Sequence, residues 1–321
     1  MNQLTTPLHE IRPCPTELLV RHEIGSPFDR YVASHDVVRL VPGIYVDDVA
    51  WTSLTPWDRY LAKVHAVGKK YPDAVFVYES AAALLGIPFA GSPRFVHILA
   101  DRRGGARTRG ILQSHFFTDN ISPVTVDGIS TMSILDTAVG IARVRHPALG
   151  LAALDQTIRR FEISPGEIAV VNDERTSSRG ATNAAWAIER ATGIPESVLE
   201  SLSLAVCEWL GFEAPRLQKE FDLGSLGTAR VDTYWPSANV IGEADGDTKY
   251  RMHAGGVEAA LIDEKRREDA LRRLSSGFAR WGWDDCREPD RLERILLTAG
   301  VPRVRQRNNA PLRTLAALLR R

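Results

Sequence analysis

The stretch RVDTYWPSANVIGEADGDTKY, residues 230–250, decides how the C-terminal half of this chain is read. Two runs of strand-forming residues flank a turn centred on Ser237 and Ala238, which is the pattern of a β-hairpin. Four carboxylates, those of Asp232, Glu243, Asp245 and Asp247, fall within the hairpin and its exit. With the turn so centred, Asp232 lies opposite Glu243 and Arg230 opposite Asp245. Period-two alternation gathers Arg230, Asp232, Tyr234, Ile241, Glu243 and Asp245 on one face. Val231, Thr233, Trp235, Val240 and Ala244 are left for the core. Directly opposed side chains stand about 5 Å apart, where like charges destabilise a sheet. A hard divalent cation, Mg2+ or Mn2+, relieves that repulsion and takes carboxylate oxygens as ligands. The competing arrangement has Arg230 neutralise Asp245 while the remaining acids face water at a sheet edge.

The rest of the composition is that of an ordinary globular protein of two or three domains: 321 residues, 44% hydrophobic and 25% charged. Forty Lys and Arg offset forty Asp and Glu, so a nucleic-acid surface has to arise from local clustering. Residues 301–321, VPRVRQRNNAPLRTLAALLRR, carry six arginines and no acid, either as such a cluster or as a merely solvated tail. Cys14, Cys207 and Cys286 lie far apart, without the spacing of a zinc site or a disulfide framework. The first thirty residues hold four prolines and no apolar core of signal-peptide length, and no run of eighteen apolar residues follows. The expected location is the cytoplasm, without a membrane partner. Eight histidines show no HxxxH or HExxH spacing and read as isolated core or surface residues.

Near the N-terminus, a brief helix, a turn at Gly25-Ser26-Pro27, a second helix through Phe28–Ala33 and a strand pair around VVRLVPGIYV outline a shortened winged helix. In that geometry Arg30 faces a DNA groove and Arg39 touches phosphate, although a winged helix that serves only as scaffold has the same outline. Between two further strands, DRRGGARTRG places Arg102 and Arg103 in a glycine-containing loop, a phosphate contact or a solvated turn. The amphipathic segments MSILDTAVGIARV and ALGLAALDQTIRRF are expected to close this middle unit. The expected fold class is α/β of the α+β kind. A small degenerate winged helix (1–50) precedes a mixed α/β domain (51–175), and a mixed sheet flanked by helices (176–321) ends in a basic tail.

The order in the last part is a helix with Glu200, a strand with Asp232, a strand with Glu243-Ala244-Asp245, then a long charged helix and a final strand. This resembles the PD-(D/E)XK restriction-endonuclease-like superfamily. RVDTYWP, GEADGDTKY and EKRREDALRRLSSGFARWGW are similar to its branch near the very-short-patch repair endonucleases, over roughly residues 182–300. The resemblance implies Mg2+-dependent hydrolysis of phosphodiester bonds in DNA. Asp232, Glu243 and the carbonyl of Ala244 would hold the metal, and Glu200 would complete the site. Asp245 stands where the superfamily has lysine, so Lys249 or Lys265 would supply the cation, with Gln218 a weaker candidate for holding water. Arg266 on the long helix would grip the backbone. Glu200 also reads as a plain helix cap, through Ser197-Val-Leu-Glu200. In the first half, LVPGIYV, ESAAALLGI, VHILADRR and GISTMSILDTAVGIA look like the AbiEi-type antitoxins, which implies DNA-binding autorepression and a cognate toxin as partner. Two readings therefore stand: a metal-dependent endonuclease with a DNA-binding or regulatory front half, and a non-catalytic regulator or antitoxin with a residual nuclease fold.

Overall fold

The computed structural model describes residues 10–25, 28–100, 107–119, 121, 123–246 and 257–319. Helices and three sheets make a mixed α/β protein, in two compact units: residues 1–144 with 166–185, and 145–165 with 186–321. Among the described residues no helix is long and apolar enough to cross a membrane.

In the first unit β1 (Leu19–Val20), α1 (Arg21–Ile24), α2 (Phe28–Ser34), β2 (Val37–Val41) and β3 (Ile44–Asp47) build a three-stranded sheet of order β1-β3-β2. Sequence reasoning finds all of this except β1, which at two residues is too short to show a period. Gly43 takes a φ of 87° in the β2–β3 turn, a conformation that favours glycine. Val20, Phe28, Ile44 and Val46 are the buried side chains of this small core. Asp47 starts α3 (Asp48–Ser53) by accepting the Ala50 N–H at 2.9 Å. α4 (Pro56–Lys70) follows, with proline at its first turn and Tyr60, Leu61, Val64 and Val67 buried on one stripe.

Next come β4 (Val75–Phe76), α5 (Tyr78–Leu85), β5 (Val96–Leu99), β6 (Thr108–Arg109), β7 (Leu112–His115), β8 (Val124–Val126), β9 (Ile129–Thr131) and α6 (Ile134–Val144). Their strands form one sheet of order β6-β7-β5-β4-β9-β8. The histidines here are not isolated, contrary to the sequence reading. His97 Nδ1 lies 2.9 Å from His115 Nε2, and His97 Nε2 lies 3.6 Å from buried Glu79.

α7 (Pro147–Phe161), expected to close the middle unit, belongs instead to the second, where it packs along α10 (Val198–Leu210). α8 (Pro165–Asp173) falls in the first unit, and α9 (Ala181–Arg190) carries the division. The reason is burial: Leu151 and Leu154 on α7 meet the apolar side of α10, on which Leu202, Ala205 and Val206 are all buried. Asp155 on α7 accepts the N–H groups of Thr192 and Gly193 at 2.8 and 2.9 Å, which fixes the turn that leads into α10.

From there β10 (Arg216–Asp222), β11 (Thr228–Trp235), β12 (Val240–Ala244), α11 (Val257–Leu274) and β13 (Gly277–Trp281) complete the central part of the unit. The sheet order is β10-β11-β12-β13, antiparallel except for the parallel β12–β13 pair that α11 connects. α12 (Trp283–Arg287), α13 (Pro289–Ala299) and α14 (Asn309–Leu319) follow. The basic C-terminal segment is thus no solvated tail. Leu312 and Leu315 of α14 are buried, the Asn308 N–H donates to Trp209 O at 2.7 Å, and Arg303 and Arg307 both pair with Glu293.

β12 is buried along its whole length, so its neighbours leave no room for change. A Cβ added at Gly242 would stand 2.4 Å from Thr233 Oγ1 and 2.8 Å from the rings of both Trp235 and Trp281. Gly242→Ala is expected to destabilise the protein by roughly 1–3 kcal/mol, the usual cost of overpacking a core. Urea unfolding monitored by tryptophan fluorescence checks it, and an unchanged midpoint would contradict this packing.

Candidate active site

The hairpin register is the one the turn implies. Thr233 pairs with Gly242, Tyr234 with Ile241 and Trp235 with Val240, which carries Asp232 opposite Glu243 one step further. The expected faces hold in part. On β11 Val231, Thr233 and Trp235 are buried and Arg230, Asp232 and Tyr234 are not. Leu217 pairs with Thr233 and Lys219 with Val231 in one unbroken register, and Gln218 between them, with a φ of 51°, makes no ladder pair. Val231 nevertheless clusters with Ile241 and Leu271, on the side where Tyr234 also packs, although strict alternation puts Val231 and Tyr234 on opposite faces. Arg230 is turned away from Asp245 and pairs with Glu196 at 2.6 Å. Neutralisation of Asp245 by Arg230 is therefore overturned, and so is a wet sheet edge, because Glu243 is only 4% exposed.

Two arginines that sequence reasoning did not place at the site take up the charge instead. Arg267 on α11 puts Nη2 at 3.2 and 3.1 Å from the two carboxylate oxygens of Glu243, and it also binds Glu264. Arg280, the cross-strand neighbour of Glu243 on β13, places Nη2 3.4 Å from Glu243 and Nη1 2.9 Å from Glu268. Its Nε lies 3.0 Å from Asp245 Oδ2, a close ion pair in which the N–H is not aimed to form a hydrogen bond. Lys265, by contrast, is an exposed residue of α11 with no ion pair among the described residues. The helix pattern shows that Glu264, Arg267 and Glu268 share a face. It does not show that this face meets β12.

Burial raises the pKa of Glu243 above its ordinary value. Arg267 opposes the rise, Asp232 adds to it, Arg280 opposes it and Asp245 adds to it, and the net direction is upward. For Arg280, burial works against the charge, and Asp245, Glu268, Glu243 and Glu264 together more than offset it. The rise at Glu243 therefore comes from burial, against which its two guanidinium neighbours act more strongly than its acidic ones.

On the α10 side, Asp232 Oδ2 accepts the Ala244 N–H at 2.8 Å. Glu200 has the capping role that its spacing suggests: its N–H donates to Ser197 Oγ at 3.1 Å and its carboxylate accepts the Glu196 N–H at 2.8 Å. It also accepts from Gln218 Nε2 at 3.1 Å, so the left-handed residue of β10 is tied to the helix. Glu200, Asp232, Ala244 and Trp281 face one small space that is too tight for a water molecule. The structure therefore brings Glu200, Gln218, Asp232, Glu243, Ala244 and Asp245 into one region around the hairpin. Lys249, Arg102 and Arg103 lie outside the described residues. Arg266 is exposed on α11, and Arg30 and Arg39 are exposed in the first unit.

The donor chemistry suits a hard divalent ion: two carboxylates on neighbouring strands and the Ala244 carbonyl. Among the described residues no group of three or more His, Cys, Asp or Glu converges as a ready metal-binding cluster, so the set rests on two acids and a main-chain oxygen. In the first unit a separate hollow of about 720 Å3 beside the Pro42–Gly43 turn is lined by Arg21, His22, Lys69 and Lys70.

Comparison with known proteins adds nothing to this geometry: no family model, curated protein or solved structure matches the chain.

Glu243 gives the site a pH signature. Its folded pKa lies above the ordinary value of 4.5, so folding favours the protonated carboxyl. Its contribution to stability is therefore fully present below about pH 4.5 and is lost as pH rises through the folded pKa. Glu243→Gln is expected to remove this component. Unfolding free energies of both proteins across the acidic range check it, and parallel pH profiles would contradict the assignment.

Proposed function

We propose that the second unit is a divalent-cation-dependent endonuclease that hydrolyses phosphodiester bonds in DNA. What carries this reading is the β11–β12 register, which continued one step past the Thr233–Gly242 pair sets Asp232 across from Glu243, with α10 and α11 contributing Glu200 and Arg267. The chain order α10-β10-β11-β12-α11-β13 supports it as well, because it matches the layout that the hairpin motifs resemble. Asp232, Glu243 and the Ala244 carbonyl would hold the cation. When bound, the ion supplies charge neutralisation at the phosphate and a more acidic water. Arg267 and Arg280 orient Glu243, and Arg280, 3.0 Å from Asp245, takes over the positive charge that the position of Asp245 lacks. Gln218 and Glu200 hold the α10 side of the site against β10.

Cleavage of supercoiled plasmid with Mg2+ or Mn2+ tests the reading. Asp232→Ala and Glu243→Ala are each expected to lower the rate by roughly 10²–10³-fold, the usual scale for removing a group that stabilises developing charge. Undiminished cleavage in both variants would end it. So would the lack of any cleavage together with no metal uptake by calorimetry.

A second reading, a DNA-binding regulator that uses the first unit and a cognate toxin, is favoured by one observation: the cationic hollow beside the wing turn, in a module that also exposes Arg30 and Arg39. It predicts that Lys70→Ala and Arg30→Ala weaken binding to the chain's own promoter several-fold in a gel-shift assay, while Asp232→Ala leaves it unchanged. Equal promoter binding by all four proteins would remove it.

A further inference from the structure

Beside the acid cluster lies a cleft of about 530 Å3 between β13 and α13. One wall is formed by Ser276, Phe278 and Arg280, the other by Arg291, Arg294 and Thr298. The last three recur at the spacing of a single helical face, so α13 presents two guanidiniums and a hydroxyl to the cleft together. β13 is an end strand of the sheet, which leaves this side to α13 rather than to a further strand. Gly277 lets the two approach, because a Cβ there would stand 1.9 Å from Ala299 O.

The charges in the cleft do not cancel. Its one carboxylate, Asp285, accepts the Gly282 N–H at 2.9 Å through Oδ2 to start α12, and Oδ1 lies 3.2 Å from Arg291 Nε. Arg294 is exposed and has neither a hydrogen bond nor an ion pair among the described residues. Arg280 belongs to both places: it lines the cleft and stands 3.0 Å from Asp245. A group held in the cleft is thus one guanidinium away from the hairpin acids.

We propose that this cleft binds a backbone phosphate of DNA adjacent to the one offered to Asp232 and Glu243, gripped by Arg291 and Arg294 with Ser276 and Thr298 as neutral donors. The proposal rests on reading the hairpin acids as a phosphodiester site. It adds where the strand runs, along α13 and past Arg280. Arginine suits the role because its planar fork matches two phosphate oxygens at once. The arrangement also explains why a chain of zero net charge leaves Arg294 without a carboxylate partner.

Anisotropy of a fluorescein-labelled 20-base-pair duplex, with the full chain in EDTA, reads binding apart from cleavage. Arg294→Ala is expected to weaken binding about 5-fold or more and to lower the slope of log K against log salt by roughly 0.9. Arg291→Ala/Arg294→Ala should lower that slope by roughly 1.8, since each phosphate contact contributes about 0.9. Arg294→Lys should restore most of the slope. Arg216→Ala, on the opposite edge strand, should leave affinity and slope alone. An unchanged slope in the double variant, or a loss as large in Arg216→Ala, would overturn the proposal. Binding of polyglutamate as tight as that of DNA, lost in the same variants, would overturn it in favour of an acidic protein partner. If the variants lose DNA as expected while no metal supports plasmid cleavage, the cleft stands and the nuclease reading falls.

Discussion

A carboxylate on a strand buried along its whole length has to be matched by charge from its neighbours, and the second unit is arranged around that demand. Glu243 is reached by Arg267 from the helix that follows its strand and by Arg280 from the next strand. Both belong to the crossover that a parallel β12–β13 pair requires, so the ion pairs lock the topology as well as the charge. Taking away one partner of such a group costs more than the pair contributes when complete, because a buried charge is left uncompensated. The acids are thus held by the architecture whether or not chemistry takes place there.

The other side of the hairpin shows how one residue redirects a site. Gln218, left-handed, leaves one step of the β10–β11 ladder unpaired and ties β10 to Glu200, while Arg230 pairs with Glu196. Glu200 therefore serves helix and sheet together, starting α10 and holding the strand that flanks Asp232. Cap and site residue are compatible roles here because the carboxylate has two oxygens and several acceptor sites.

Much of this was legible in the sequence, for physical reasons that also mark where it stops being so. The register of β11 and β12 follows from turn length and an apolar pattern, both local, and it comes out as read. Burial along β11 follows the expected alternation, whereas the packing of Val231 against Ile241 departs from it, and nothing in RLQKEFD announces that Gln218 takes a positive φ. Arg267 and Arg280 were passed over in favour of lysines close in sequence to the hairpin. Their role depends on how α11 folds back over β12, a long-range fact. The arginines near the C-terminus looked like a tail because Leu312 and Leu315, which anchor α14, are few among many charges. The turns of the N-terminal segment were readable from their glycines, and Gly25 and Gly43 both take positive φ.

The exchange of α7 and α8 between the two units bears on how such a chain can be divided or recombined. The polypeptide leaves the first unit at residue 144, returns to it at 166 and departs again within α9. A single break therefore cannot separate the halves. A fragment beginning after α8 would lack the helix that packs along α10 and would bare the apolar side that α10 turns to it. The two halves can be exchanged between proteins only with the 145–165 segment moved along with the second unit. A recombination junction placed at the apparent boundary near residue 176 would strand that helix in the wrong partner.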